Sequence, residues 1–139
     1  MSLMTPKKLK YRRPFKIMPK AKRAKNDRLY FGTFGLLSTE NSLITHRQIE
    51  SARKAIVNHM KRKGRLWIRI YPDRPITKKP AEVKMGKGKG DIDHYAAIVQ
   101  KGTILFEIGG VDEEIAKEAF RKASHKLPIK VKFIRSDML

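Results

Sequence analysis

The chain has 139 residues, 40% of them hydrophobic, which suits one globular core and is too short for two comfortable domains. Its 33 Lys and Arg against 13 Asp and Glu give a formal charge of +20, and such self-repulsion favours a polyanionic partner. The absence of Cys excludes a disulfide framework, a thiolate zinc site and a cysteine nucleophile. No apolar run approaches the roughly 20 residues of a membrane helix, so no membrane association is expected.

The positive charge is unevenly distributed along the chain. Residues 1–28 form a basic arm with 11 Lys and Arg against one acid, and three prolines oppose a regular helix there. Residues 52–90 hold 13 basic residues against two acids, whereas residues 91–139 are neutral, with eight of each. The whole excess therefore lies in the first 90 residues, which favours a one-sided nucleic-acid footprint over a merely solvated surface.

Residues 29–139 are predicted to form a single domain that starts with a strand, a helix and a second strand. Residues 29–38 are rich in aromatic and apolar side chains and predict a strand with glycine bulges. A capping-box pattern, Thr and Gln three residues apart, predicts a first helix over about residues 46–63. Residues 66–71 alternate in polarity and predict a strand.

A long loop and a hairpin are predicted next. Residues 72–90 contain three prolines and three glycines, too many for a regular element, so we predict a protruding loop over residues 72–93. Residues 94–100 and 103–108 predict two strands, and the two residues between them predict a tight hairpin.

The last part of the chain predicts a helix and a strand. Asp112 fits an N-cap, and the apolar residues that follow predict a second helix that Pro128 must end. Residues 129–135 alternate and predict a final strand. Two helices and about five strands indicate an α+β fold, a two-layer sandwich with both helices on one face of a mostly antiparallel sheet.

The sequence MGKGKG at residues 85–90 is the most distinctive local feature. Its glycines allow the backbone to approach a surface closely and its lysines add charge, so this loop could enter a phosphate-lined crevice. The spacing excludes a P-loop and a dinucleotide fingerprint. A flexible surface loop is the alternative.

The sequence gives little support for a catalytic site or a metal site. The four histidines lack metal-ligand spacing, so no metal and no cofactor are predicted. Ser124 and His125 are adjacent in a predicted helix and point in different directions, which excludes a nucleophile and base. Asp91 and Asp93 alone are thin support for a two-metal nuclease. Three aromatic residues could stack on bases, although strand aromatics more often lie in a core: Trp67, Tyr71 and Tyr95.

Several segments, in the right order along nearly the whole chain, resemble bacterial-type ribosomal protein sixteen of the large subunit, the L-sixteen / L-ten-e family. They are PKKLKYRRPFK at 6–16, LITHRQIESAR at 43–53, LWIRIYPDRPITKKP at 66–80, VKMGKGKG at 83–90, residues 102–110, and KLPIK at 126–130. The resemblance implies an α+β sandwich that binds large-subunit ribosomal RNA near the site where aminoacyl-tRNA is accommodated. It also implies that the glycine-lysine loop extends toward the peptidyl-transferase region.

The resemblance and the charge distribution together assign site residues. The loop toward tRNA and the peptidyl-transferase region would comprise Lys84, Met85, Gly86, Lys87, Gly88, Lys89 and Gly90. Basic residues of the arm and of the basic centre are predicted to bind ribosomal RNA: Lys7, Lys8, Lys10, Arg12, Arg13, Lys16, Arg53, Arg62, Arg65 and Arg69. Two departures from the family pattern are Lys84, where Arg is common, and the sequence His-Tyr-Ala at 94–96, where Tyr-Trp is usual.

We therefore predict a structural ribosomal protein without catalytic activity, in a bacterial cytoplasm, a mitochondrial matrix or a plastid stroma. Its expected partners are large-subunit ribosomal RNA, tRNA in the A site or also the P site, and neighbouring ribosomal proteins, with no membrane and no homo-oligomer. One alternative is a free RNA-binding regulator or chaperone. The other is a small metal-dependent nuclease that uses Asp91 and Asp93.

Overall fold

A computed structural model describes residues 28–77 and 92–136 of the chain. Over these two ranges the elements are β1 (Phe34–Ser38), β2 (Ser42–Thr45), α1 (His46–Met60), β3 (Arg65–Ile68), β4 (Arg74–Thr77), β5 (Ile92–Val99), β6 (Ile104–Gly109), α2 (Glu113–Ser124) and β7 (Val131–Arg135).

The described strands form two sheets rather than the single sheet predicted. The larger sheet has the order β3-β6-β1-β7 and the smaller one the order β2-β5-β4, and neighbouring strands are antiparallel in both. Strand β6 lies between β3 and β1, and each of its six residues is buried. The predicted α+β class, with two helices and mostly antiparallel strands, is confirmed; the single sheet is corrected to two.

The predicted hairpin between residues 94–100 and 103–108 is wrong. Strand β5 pairs with β2 and β4, whereas β6 pairs with β1 and β3. The turn between them does form, with Gly102 at φ 89°, but the Gly102 N–H donates to the carbonyl of Ser38 at 2.8 Å. A Lys-Gly spacer favours a tight turn, yet it does not determine which strand edges pair. The chain uses this turn to cross from one sheet to the other.

Several element boundaries also differ from prediction, and two of them have a clear local reason. The strand predicted over residues 29–38 begins only at Phe34, because the N–H groups of residues 30–32 donate to the side chain of Glu107 instead of to a neighbouring strand. The first helix ends at Met60 rather than near residue 63, because Lys61 and Arg62 adopt left-handed backbone angles, with φ of 52° and 65°.

Strands β2 and β4 were not predicted. Strand β4 lies inside the segment predicted as a loop, and it includes Pro75, paired in register with Tyr95. Because β4 is an edge strand of the smaller sheet, the missing N–H of a proline is tolerated there. A proline in this segment is therefore compatible with an edge strand as well as with a loop.

The two helices pack against each other and against different strands. Helix α1 contacts β2 and β5, and α2 contacts β1 and β7. The apolar stripe predicted for α1 is buried as expected, and alanines on α2 leave room for the close approach of the two helices. The buried helical residues are Ile49, Ala52, Ile56 and Met60 on α1, and Ala116, Ala119, Phe120 and Ala123 on α2.

The two helix starts allow a matched test of capping. The predicted capping box on α1 is confirmed: Gln48 N–H donates to Thr45 Oγ1 at 3.2 Å, and Thr45 N–H donates to Gln48 Oε1 at 2.9 Å. Asp112 occupies the N-cap of α2 as predicted, but its side chain accepts no capping hydrogen bond.

We expect Thr45→Ala to lower the free energy of unfolding by about 1 kcal/mol, because it leaves a helical N–H without its acceptor. Asp112→Ala should lower the free energy of unfolding by only about 0.3 kcal/mol, since it removes a charge near the helix dipole but no capping bond. Urea denaturation followed by far-UV circular dichroism measures both. Equal losses would contradict this assignment.

Candidate nucleic-acid interface

Many of the predicted contact residues lie outside the described residues. These are the arm residues Lys7, Lys8, Lys10, Arg12, Arg13 and Lys16, and the loop residues Lys84, Met85, Gly86, Lys87, Gly88, Lys89 and Gly90. Their roles stay predictions. The described chain begins where the arm ends, at Arg28, and shows how the root of the arm is held.

A buried carboxylate binds the root of the arm. The backbone N–H groups of Tyr30, Phe31 and Gly32 donate to Glu107 Oε1 at 3.0, 2.9 and 2.9 Å. Glu107 lies on β6 and is completely buried, and its Oε2 accepts a hydrogen bond from Arg69. Three successive N–H groups around one oxygen form an anion-binding nest, and the anion in it is the carboxylate of Glu107.

Gly32 is required at this position by close packing. A Cβ atom there would lie 2.6 Å from the carbonyl oxygen of Ile108, a backbone atom of β6 that cannot move aside easily. The same carbonyl accepts the N–H of Thr33 at 3.0 Å. The root of the arm therefore lies against the backbone of β6, and any side chain at Gly32 would push it away from Glu107.

The hydrogen bonds keep Glu107 ionised although it is buried. Burial by itself raises the pKa of this carboxyl group, but the backbone N–H groups of Gly32 and Phe31 and the guanidinium of Arg69 favour the charged form more strongly. The net effect places the pKa of Glu107 below its ordinary value of 4.5. The anchor is thus fully formed at neutral pH.

Arg69, predicted to contact ribosomal RNA, is directed into this anchor. Besides Glu107 it donates to the carbonyl of Arg28 at 3.1 Å, and its guanidinium carbon lies 5.1 Å from the ring centre of Tyr30 and 5.5 Å from that of Phe31. Only 12% of its side chain is exposed. The structure gives Arg69 a part in holding the arm root, and an RNA contact stays a prediction.

The other three predicted arginines of the basic centre are more accessible. Arg62 and Arg65 are exposed in and after the turn that joins α1 to β3. Arg53 is partly exposed on α1 and forms an ion pair with Glu50, with 3.5 Å between Nη2 and Oε2. An exposed ion pair of this kind contributes little to stability, so Arg53 can exchange its carboxylate for a phosphate at small cost.

The sequence did not predict that two aromatic residues at the root of the arm are exposed. Tyr30 is 70% exposed and Phe31 58%, although both were assigned to a strand. The ring of Phe31 stacks on Trp67 with 6.0 Å between centroids. Tyr71, one of the predicted stacking candidates, is also exposed, whereas Tyr95 is only partly so. Exposed aromatic rings beside basic residues suit stacking on unpaired bases.

The described ranges contain no metal cluster of acidic and histidine side chains and no membrane-spanning helix. Within residues 28–77 and 92–136, no group of three or more His, Asp or Glu side chains could hold a metal ion. In the same ranges no helix is long and apolar enough to cross a membrane. Asp91 lies outside the described residues, so the structure does not describe its arrangement with Asp93.

Comparison with known proteins identifies the family. The model of the family described as Ribosomal protein L16p/L10e matches residues 6–134, which include most of the arm, the glycine-lysine loop and the domain. The chain belongs to this family. The resemblance noted in the sequence is thereby confirmed.

Similar proteins match over almost their full lengths. The large ribosomal subunit protein uL16 of Sulfurihydrogenibium sp. (strain YO3AOP1) is 54% identical over 136 residues, 98% of this chain and 99% of the relative. Those of Christiangramia forsetii and Halorhodospira halophila are 52% and 46% identical, covering 95% and 99% of this chain and 95% and 100% of the relatives. A ribosomal-protein family is a family of structural components, so the prediction of a non-enzymatic protein is confirmed.

The anchor at Glu107 predicts a specific pH dependence. Because its pKa is lower in the folded chain, Glu107 contributes stability above its unfolded pKa, and this contribution is lost as the pH falls through the folded pKa. Glu107→Gln removes that contribution and should cost about 2–3 kcal/mol at pH 7, since the bonds to a charged acceptor become neutral ones. The variant should therefore lose less stability than the wild type between pH 7 and pH 3.

Urea denaturation at several pH values checks this expectation. Glu113→Gln is the control, because its ion pair with Arg135 is exposed and such pairs contribute about 0–1 kcal/mol. If Glu107→Gln kept the wild-type pH dependence, Glu107 would not be the ionised anchor.

Proposed function

We propose that this protein is a structural constituent of the large ribosomal subunit that binds ribosomal RNA near the A-site tRNA accommodation region and supports tRNA binding and translation. The observation that carries the proposal is the family match over residues 6–134, because it includes the two segments that concentrate the positive charge. The partners are large-subunit ribosomal RNA, neighbouring ribosomal proteins and A-site tRNA. The location is the ribosome of a bacterium or an organelle.

The mechanism is binding by charge and shape. The basic arm neutralises phosphates and releases condensed counterions, which gives affinity without sequence readout. The anchor at Glu107 supports this role because it fixes the root of the arm on β6. An arm with one fixed end loses less conformational entropy on binding than a free peptide of equal charge.

The glycine-lysine loop, residues 84–90, is assigned the contact toward tRNA and the peptidyl-transferase region. Alternating glycine and lysine supports this assignment, since the backbone can approach nucleic acid closely while ammonium groups neutralise phosphates. The exposed rings of Tyr30 and Phe31 provide stacking faces next to the arm.

Sedimentation of a native lysate on a magnesium-containing sucrose gradient tests the assembly. We expect the protein to migrate with the large subunit in moderate salt and to leave it when magnesium is removed. If the protein remained in the light fractions, the free RNA-binding regulator or chaperone would replace this proposal.

Salt dependence tests the contribution of the arm. Changing Lys7, Lys8 and Lys10 to Gln should reduce the slope of log affinity for large-subunit ribosomal RNA against log salt by roughly 2–3, at about 0.7–0.9 per phosphate contact. Changing Lys101, Lys130 and Lys132 to Gln removes the same charge from exposed positions in the neutral part of the chain. Equal slopes for the two triple variants would argue against the arm as an RNA contact.

A further inference from the structure

A basic groove lies between the C-terminal ends of the two helices. Its volume is about 510 Å³. We call it the helix-end groove, and it is lined by Ala55, Asn58, His59, Lys61, Lys122, His125 and Lys126. It thus combines three ammonium groups, two imidazoles and one amide, and none of these described lining residues carries a carboxylate.

We propose that the helix-end groove binds phosphates of the ribosomal RNA backbone, as a site on the globular domain separate from the arm and the glycine-lysine loop. This inference rests on the function proposed above, because the ligand is ribosomal RNA. It adds residues of the described domain to the binding surface.

The groove brings together charges that are far apart in the sequence. Lys61 follows α1, in the basic half of the chain, while Lys122 and Lys126 belong to α2 and its end, in the segment whose net charge is zero. The packing of α1 against α2 places both sets on one groove. The local concentration of positive charge therefore exceeds what a count along the chain indicates.

Helix capping alone does not account for these lysines. Cations are favourable near a helix C-terminus, but some of the final carbonyls already have backbone partners. Lys61 N–H donates to the carbonyl of Val57 at 3.1 Å, and Lys126 N–H donates to that of Ala123 at 2.9 Å. The lysine side chains are exposed and are not needed to satisfy those groups.

Lys122 in the groove and the neighbouring Glu118 of α2 have different hydrogen-bond partners. Lys122 Nζ lies 3.0 Å from His59 Nδ1, so the hydrogen-bond partner of this lysine is an imidazole and not a carboxylate. Glu118, one turn before Lys122 on α2, accepts hydrogen bonds from Arg121, whose Nε lies 3.0 Å from both carboxylate oxygens, and it also interacts electrostatically with Lys122 and His59. The carboxylate of Glu118 therefore makes these hydrogen bonds to Arg121, outside the residues that line the groove.

RNA is the anion that best fits the groove. Several cations around one open groove repel one another, and a row of phosphates relieves that repulsion at more than one point. The amide of Asn58 and the imidazole of His125 add hydrogen-bond donors at its border. A free phosphate ion has the same chemistry but reaches fewer of these groups at once.

The test uses the full-length protein and large-subunit ribosomal RNA. Changing Lys61, Lys122 and Lys126 to Gln should weaken binding by roughly tenfold or more at moderate salt and reduce the salt slope by roughly 2–3. The control is the triple variant of Lys101, Lys130 and Lys132, which should change both quantities much less. Replacing the three groove lysines with Arg should retain the wild-type slope, because the charge is kept.

The outcomes separate this inference from the proposed function. A wild-type protein with no salt-dependent binding would overturn the proposed function itself. Steep wild-type salt dependence with equal changes in the groove and control triples would overturn the groove alone. If the groove triple does not fold, as judged by circular dichroism, the double variant Lys122→Gln/Lys126→Gln should still reduce the slope by roughly 1–2.

A titration with inorganic phosphate distinguishes the two phosphate sources. Imidazole resonances of His59 and His125 report on the groove in NMR spectra. We expect these resonances to shift when an RNA fragment binds and to respond only weakly to phosphate. Saturation by phosphate without displacement by RNA would replace the RNA site with a small-anion site.

Discussion

The buried carboxylate of Glu107 sets a strict condition on the fold around it. It lies on the central strand β6, opposite Gly35 of β1 and Trp67 of β3 in the sheet register. An ionised group in that position is costly unless it is paired and hydrogen-bonded. Arg69 and three successive N–H groups meet this requirement, so the arm root stabilises the sheet by holding the charge of Glu107. The core and the root of the arm are in this way parts of one interaction.

Local features of the fold followed well from the sequence. The capping box at Thr45, the buried stripe of α1 and the position of α2 depend on residues within a few turns of one another, so pattern and spacing suffice. The pairing of β5 and β6 with different sheets depends on strands far away in the chain. A Lys-Gly turn signal contains no information about those partners, and the predicted hairpin failed for that reason.

The features of the candidate site that the sequence predicted are also the local ones. The charge distribution and the glycine-lysine motif are visible in the sequence because their residues are contiguous. The inward role of Arg69 and the exposure of Tyr30 depend on a contact with Glu107, 38 or more positions away. A single acid inside the otherwise apolar strand β6 was the one signal that could have found this anchor. The helix-end groove gave no such signal, because two separate segments build it.

The position of β1 has a consequence for synthesis. This strand occurs early in the chain, yet both of its partners, β6 and β7, follow more than 60 residues later, up to Arg135. The larger sheet therefore cannot close until the chain as far as Arg135 has left the exit tunnel, and contacts of such sequence separation form slowly. Until then the nascent basic segments have no folded domain to hold them. A chain of this topology meets polyanions first as an unfolded polycation, and its larger sheet is completed only after β7 has been synthesised.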